Sequence, residues 1–447
     1  MELDRNSVRT VVCKFGGTSM ADQSSTDQVA DIVKSDPARR FIVVSAPGRT
    51  QGGKKVTDLL MECDKEISET GRCDKTFPQI EERFRPLHGG ISDEAFDRLM
   101  KDIKEQIESR KSRDFCISRG EYLCAYLFAA KIGFPFIDAA ELIAFNRYDG
   151  YDSEKTERQC RARLKNVERA VIPGFYGADE TGAVMTFSRG GSDITGSILA
   201  QVQKADLYEN WTDVDGILNA DPHIVPEARI IDAMTYSELR ELSYLGACVM
   251  HPDALLPIVK AKIPLNVRNT FHPDQNGTLV CSNIHSTNRH TITGIAGKKD
   301  FRILWIHKIG LNTHKGFVRK VLSILEYHGI VFEHMPASLD TMNILIPYAS
   351  MQPCLAKELA DEIKESIHPD SIQLLDKIAI VSIVGRNMFQ RVGIAAKMLT
   401  ALSDNRINIR MLIQGCREIN VIAGIDESNY ERAVRALFDA FLAADEA

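Results

Sequence analysis

The sequence predicts an α/β protein: a mostly parallel sheet with helices on both faces, followed by two small ferredoxin-like units. Three observations carry this. Up to about residue 298, strand-like runs alternate with helical segments, as at residues 41–44, 170–173 and 263–267, the pattern of parallel strands joined by crossover helices. Lys14, Phe15, Gly16, Gly17, Thr18 and Ser19 follow the apolar residues Val11, Val12 and Cys13, which puts a glycine-rich turn at the carboxyl end of a strand, where such sheets bind ligands. From about Arg302 the chain repeats itself: Leu325, Ile330 and Asn343 recur 77 positions later as Leu402, Ile407 and Asn420, and Gly310 recurs 75 positions later as Gly385.

In chain order, the first strand ends in equipment for phosphate. Glycines let backbone N–H groups approach an anion, Lys14 adds a point charge, and Thr18 or Ser19 opens a helix whose positive end faces the anion. The same residues also make an ordinary capped β-to-α turn, so the rest of the chain decides between them. A second strand ends at Ser45, Ala46, Pro47 and Gly48, with Thr57 beyond the following loop; either hydroxyl could meet a polar ligand. Ser118, Arg119 and Gly120 then lead to Glu121, which is expected to open an apolar helix through Leu123, Tyr126, Leu127 and Ala130. A carboxylate there is an ordinary helix-dipole partner.

Ser188, Arg189, Gly190, Gly191, Ser192 and Asp193 form a second glycine-rich turn entering a helix of small residues. Arg189 is a natural bidentate clamp for a carboxylate, and Asp193 a partner for an ammonium or an organiser of a lysine. Trp211, Thr212, Asp213, Val214, Asp215 and Gly216 follow, with Asp221 and Pro222 after them. Asp215-Gly216 is a turn signal, and Trp211 stands where a calcium loop needs its first ligand.

In the tail, each copy of the repeat places a strand before an amphipathic helix. Its apolar face is Phe317, Val318, Val321, Leu322 and Leu325 in the first copy, and Val392, Ala395, Ala396, Leu399 and Leu402 in the second. Strand, helix, strand, strand is the order of a ferredoxin-like unit.

Composition narrows the classes further. With 447 residues and 44% hydrophobic content, the chain has material for two or three cores. A formal net charge of −6 with interspersed signs gives no field to draw in nucleic acid or an anionic membrane. The ten cysteines include no CxxC pair, so reduced thiols are expected rather than a zinc ribbon. Cys248 and His251 have CxxH spacing, but two ligands make a poor metal site and a packed thiol is the expectation. The N-terminal residues lack a signal-peptide pattern, and the chain is read as cytoplasmic.

These segments, in this order, resemble the aspartate kinases of the amino acid kinase family. Residues 14–19, 188–193 and 211–216 are similar to the family's signature, its arginine-glycine-aspartate turn and its nucleotide loop, and residues 246–252 to the block that follows. The repeat resembles paired ACT domains that bind amino acid effectors; Asn408, Ile409, Arg410, Met411, Gln414 and Gly415 are typical of the second. The resemblance implies a catalytic domain over residues 1–298 with the amino acid kinase fold, and ACT domains over residues 299–372 and 373–447. It implies phosphoryl transfer from ATP to the β-carboxylate of L-aspartate, with magnesium bridging the nucleotide phosphates and no metal site of the protein's own.

By the same resemblance, Lys14, Arg189 and Asp193 are catalytic, and Gly16 and Gly17 donate backbone N–H bonds to the phosphoryl group. Thr18, Thr212, Asp213, Leu218, His223 and Cys248 complete the ATP site. Ser45, Thr57, Glu121, Phe175, Gly190 and Ser192 join Arg189 and Asp193 around aspartate. At Leu218, His223 and Cys248 some members carry a tyrosine, an arginine and a lysine, so two phosphate-facing charges are missing here. Leu311, His314, Gly316, Phe317, Val318, Glu333 and Ser338 match effector positions of lysine-inhibited members, which implies feedback inhibition by L-lysine. A homodimer, or a tetramer built from dimers, is implied by the paired ACT domains.

Other readings are weaker. Residues 48–54 nearly spell a Walker A motif, but Lys55 stands where it needs Ser or Thr. Kinases for glutamate, acetylglutamate or uridylate lack the tandem repeat. A catalytically silent amino acid sensor would keep the repeat over a decayed kinase domain, and intact Lys14, Glu121, Arg189 and Asp193 oppose it.

Overall fold

The computed structural model describes residues 10–50, 52–110, 112–146, 150–188, 190–246, 250, 252–284, 291–351, 353–386, 388–415 and 419–443. The chain divides into two compact units: Met1–Ile217, Ile230–Ser243 and Val249–Thr287 form the first, and Leu218–Arg229, Tyr244–Cys248 and Asn288–Ala447 the second.

The first unit is built on seven strands: β1 (Val11–Phe15), β2 (Arg39–Val44), β3 (Ala170–Pro173), β4 (Leu207–Thr212), β5 (Ala233–Thr235), β6 (Leu265–Asn269) and β7 (Thr278–Cys281). Their order in the sheet is β3-β2-β1-β4-β6-β7-β5. Neighbours from β3 to β6 pair parallel, β7 runs antiparallel to β6, and β5 runs parallel to β7. The expected mostly parallel sheet is therefore present. Strand β1 is buried end to end and β2 is buried except at Arg40, as apolar runs such as residues 41–44 require.

Around this sheet lie α1 (Gln23–Ser35), α2 (Val56–Thr70), α3 (Phe77–Phe84), α4 (Asp93–Arg110), α5 (Arg113–Ile132), α6 (Ser153–Leu164) and α7 (Gly191–Val202). Val29, Ile42, Leu60, Phe84, Phe96 and Leu123 share one core. Glu121 corrects the sequence reading: it does not open its helix but is the ninth residue of α5, which starts at Arg113 with Ser112 as N-cap accepting from the Phe115 N–H. Gly120, inside the helix, is a point of close approach. A Cβ there would lie 2.8 Å from the Ala46 Cβ, so glycine lets α5 press against the end of β2. The helix-dipole account of Glu121 falls with this.

The second unit carries β8 (Gly294–His307), α8 (Phe317–Tyr327), β9 (Thr341–Pro347), α9 (Pro353–Ile367), β10 (Ser371–Val384), α10 (Ile394–Asp404), β11 (Ile409–Ile413), β12 (Asn420–Asp426) and α11 (Tyr430–Phe441). The strands form one sheet, β9-β8-β10-β12-β11. Long strands β8 and β10 serve both repeats: residues 301–307 of β8 pair with β9, while residues 378–384 of β10 pair with β12. The expected boundaries at 298/299 and 372/373 thus fall inside continuous strands.

The repeat is visible in its helix ends. Ile330 N–H donates to Leu325 O and Ile407 N–H to Leu402 O, with Gly329 and Arg406 taking the positive φ that ends each helix. The apolar face of α8 matches expectation. In α10 Leu402 is buried as expected, but the face is rotated: Val392 precedes the helix and is fully exposed, Ala396 is exposed, and Met398 is buried in their place.

Candidate functional site

Alternation along β1 and β4 sorts their side chains by face. Cys13, Phe15, Glu209 and Trp211 lie on one side, where Cys13 Sγ meets Glu209 and Phe15 stacks on Trp211. Lys14 and Asn210, register partners across the β1–β4 ladder, lie on the other, under the first turn of α7. There Lys14 Nζ meets Asp193 Oδ1 at 2.6 Å, with both side chains nearly buried. Asn210 Nδ2 donates to the same oxygen at 3.3 Å, and Tyr208 OH donates to the Asp193 backbone carbonyl.

The glycine turn shapes the space beside Lys14. A Cβ on Gly16 would stand 3.7 Å from Lys14 Nζ. The expected donation from both glycines is corrected: Gly16 N–H is bonded to Trp211 O at 3.0 Å, extending the ladder by one residue. The N–H groups of Gly17, Thr18 and Ser19 start a 3-10 turn with no acceptor among the described residues, and they are the donors left for an anion. The loop after β2 closes on this turn. Gly48 N–H donates to Gly17 O, and a Cβ on Gly48 would be 2.7 Å from the Gly17 carbonyl carbon. Arg83 of α3 pins the arrangement by donating to Ala21 O, Gly48 O, Lys54 O and Thr50 Oγ1.

Ser45 follows β2, its N–H on Phe15 O, and Thr57 lies in the first turn of α2. Glu121 faces this region from α5 and is 5% exposed. Burial pushes its carboxyl up to about 8, only partly offset by the Ala46 backbone and by Arg119. Oε2 has no hydrogen-bond partner among the described residues. A carboxyl buried in this way takes a cation readily when one arrives.

Phe175, a non-glycine residue at φ 79°, is held by Thr195 Oγ1 on its N–H and packs where a Cβ on Gly191 would lie 2.7 Å from its ring. Such strain is kept where the surroundings fix it. Gly190 caps α7 in the left-handed region, and Ser192 packs against Gly174. Arg189 and Cys248 lie outside the described residues. Thr212 Oγ1 donates to Asp213 Oδ1 at the exposed end of β4, and Asp215 accepts from Asn269 and His272, which hold its carboxyl below the ordinary value. Leu218 and His223 belong to the second unit, in the segment Leu218–Arg229.

In that second unit, Leu311 and Phe317 are buried and Val318 packs beside them, while His314 and Gly316 are exposed. Their turn is tied to the Ser338–Thr341 turn by Gly310 N–H on Asp340 Oδ1 and Asn312 N–H on Leu339 O. Glu333 stands five residues before Ser338 on the arm that pairs with β9, bonded through its N–H to Leu345 O, roughly 16 Å away along extended chain. Its side chain is 9% exposed, Oε1 lies 3.6 Å from Lys298 Nζ, Oε2 is without a partner among the described residues, and burial raises its carboxyl above the ordinary value.

Sequence reasoning missed three groups here: Asn210 beneath Asp193, Arg83 behind the loop, and Glu209 on the opposite face. No spacing or motif marks any of them.

Comparison with known proteins matches this geometry to a family. The amino acid kinase family pattern covers residues 9–269 and an ACT domain residues 381–441. Aspartokinase 3 of Bacillus subtilis is 36% identical, covering 97% of this chain and 98% of its own. The crystal structure of Clostridium acetobutylicum aspartate kinase superposes with a TM-score of 0.89 at 43% identity, covering 96% of this chain and 100% of its own. Escherichia coli aspartokinase III, 26% identical, superposes at 0.77 in its complex with aspartate and ADP (R-state) and at 0.74 with lysine and aspartate (T-state), over 96% and 97% of this chain and 99% and 100% of its own. The chain belongs to the aspartokinases of the amino acid kinase family.

Proposed function

We propose that this chain transfers the γ-phosphoryl group of ATP to the β-carboxylate of L-aspartate, giving ADP and 4-phospho-L-aspartate. The observation that carries the reading is the nearly buried Lys14–Asp193 pair at 2.6 Å beside the N–H groups of Gly17, Thr18 and Ser19, which have no acceptor among the described residues. The nucleophile is already an anion, since an aspartate side chain ordinarily ionises near 3.9. No general base is needed, and catalysis reduces to in-line positioning and charge neutralisation.

Lys14 bridges the transferring phosphoryl group and the turn donates N–H bonds to it. Glu121 and Asp193 take the substrate ammonium, Arg189 grips a carboxylate, and Ser45, Thr57, Phe175, Gly190 and Ser192 line the aspartate pocket. Gly16 shapes the cradle, and Thr212 and Asp213 hold the nucleotide. The exposed Asp213 carboxylate is a hard oxygen donor suited to magnesium arriving with ATP. When bound, the ion neutralises phosphate charge. ATP- and aspartate-dependent formation of a hydroxamate in hydroxylamine tests the reading; no product from the purified enzyme overturns it and leaves the silent sensor.

Glu121 sets a pH dependence. Below about 8 the free enzyme holds it neutral, and the substrate ammonium favours its ionised form, so binding aspartate releases a proton. By linkage, KM for aspartate falls as pH rises toward 8, by up to tenfold per unit. Glu121→Gln removes this slope and raises KM at pH 8 at least tenfold; steady-state kinetics between pH 6.5 and 8.5 reads both.

The same reading includes feedback inhibition by L-lysine in a homodimeric or tetrameric enzyme. Support comes from the half-compensated Glu333 carboxylate, where an ammonium would meet the open Oε2. An effector acts only through different affinities for two states. Lysine at millimolar levels suppresses aspartate phosphorylation, and Glu333→Ala raises the half-inhibiting concentration by tenfold or more; unaltered activity in lysine refutes this part alone.

A further inference from the structure

Both Lys14 Nζ and Asn210 Nδ2 end on one atom, Asp193 Oδ1. Asn210 is 1% exposed and sits beside Lys14 in register on adjacent parallel strands. Its orientation follows from chemistry: a carboxylate only accepts, so the amide nitrogen faces Asp193. The amide oxygen is then left buried without a partner among the described residues, and an unmet buried acceptor is costly. A strand position between Glu209 and Trp211 would take an apolar residue more cheaply.

We infer that Asn210 is a positioning residue for phosphoryl transfer, holding the Asp193 carboxylate while sharing its oxygen, so that the Lys14 ammonium is aimed but not trapped. This rests on the role proposed for Lys14. An acceptor divided between two donors binds each less tightly, and a neutral amide keeps the pair at zero net charge. The ammonium can then shift from Asp193 toward the phosphoryl oxygens as negative charge gathers there. An apolar residue at this position leaves Lys14 as the one side-chain partner of the carboxylate among the described residues. A second carboxylate there clamps the ammonium between two anions, which share a proton at lower pH because like charges in contact cannot both ionise.

Single-turnover phosphoryl transfer at saturating aspartate and ATP, with thermal midpoints recorded in parallel, tests the inference. Asn210→Leu slows transfer about tenfold with both KM values within threefold of wild type. Asn210→Asp slows it about 100-fold at pH 8 and recovers at least tenfold by pH 6, whereas wild type is flat over that range. Asn210→Leu within twofold of wild type, or an Asn210→Asp deficit equal at both pH values, overturns the inference. Should the leucine variant fail to fold, the pH response of the aspartate variant decides. Failure of the kinase reading itself shows separately, as wild-type enzyme making no aspartyl hydroxamate.

Discussion

Lys14→Ala lowers kcat by roughly 10²- to 10³-fold, the size expected when a preorganised group facing developing charge is removed, while aspartate affinity changes less than threefold. Lys14 contacts the pocket through Asp193 and stands over Gly16, so its charge acts on the phosphoryl group rather than on the amino acid. The loss has a second component. Without the ammonium, the Asp193 carboxylate is a nearly buried anion beside the place where phosphate must arrive, and it repels the nucleotide. The double variant Lys14→Ala/Asp193→Asn therefore recovers part of the loss, as neighbours in one network do. Lys14→Arg does not restore activity, because a planar guanidinium does not reproduce a compact ammonium. ADP release gives kcat and titration calorimetry gives aspartate affinity; wild-type turnover in Lys14→Ala removes the lysine from the mechanism.

How much of this was legible depended on whether local chemistry or distant contact set each feature. Residues 170–173 form the strand their apolar run announces, and the Lys14 turn lies at the end of β1 as its glycines require. The repeat is legible because both copies end a helix by the same hydrogen bond, whichever residue takes the positive φ. Glu121 sits at the start of a helix in the sequence reading because the apolar run begins only after Gly120, whereas the helix runs through that glycine. Its purpose is room for Ala46, 74 positions away. Val392 was put on the face of α10 by spacing alone, and only the start of that helix at Ile394 rotates it out. The family resemblance assigns the Gly16 N–H to phosphate, whereas the neighbouring strand takes it through Trp211 O. Asn210, Arg83 and Glu209 have no local signature, since each works through partners brought by the fold.

Glu209→Ala destabilises the first unit by about 3–5 kcal/mol, the usual cost of breaking a buried charge network from one side. On the face of the sheet opposite Lys14, Glu209 Oε2 lies 2.7 Å from Arg39 Nε and Oε1 lies 3.4 Å from Arg268 Nη1, and Trp211 Nε1 donates to Oε2 at 3.0 Å. Both guanidiniums also stack on the Trp211 ring, at 5.2 Å and 4.5 Å. Burial alone would raise the Glu209 carboxyl, but Arg39, Arg268 and the indole N–H together hold it below its ordinary value. A depressed folded value contributes stability above the ordinary carboxylate range and loses it as pH falls through the folded value. The gap between wild type and Glu209→Ala therefore narrows in acid. Removing the carboxylate leaves two buried cations beside one indole ring with no anion between them among the described residues, which is why the cost exceeds that of an exposed pair. Denaturant unfolding followed by Trp211 fluorescence, in a Trp305→Phe background that silences the chain's other tryptophan, reads this unit alone. Because Glu209 points away from Lys14 and Asp193, kcat at low temperature stays within about threefold of wild type; a midpoint shift below 1 kcal/mol shows that the network contributes little to holding the sheet.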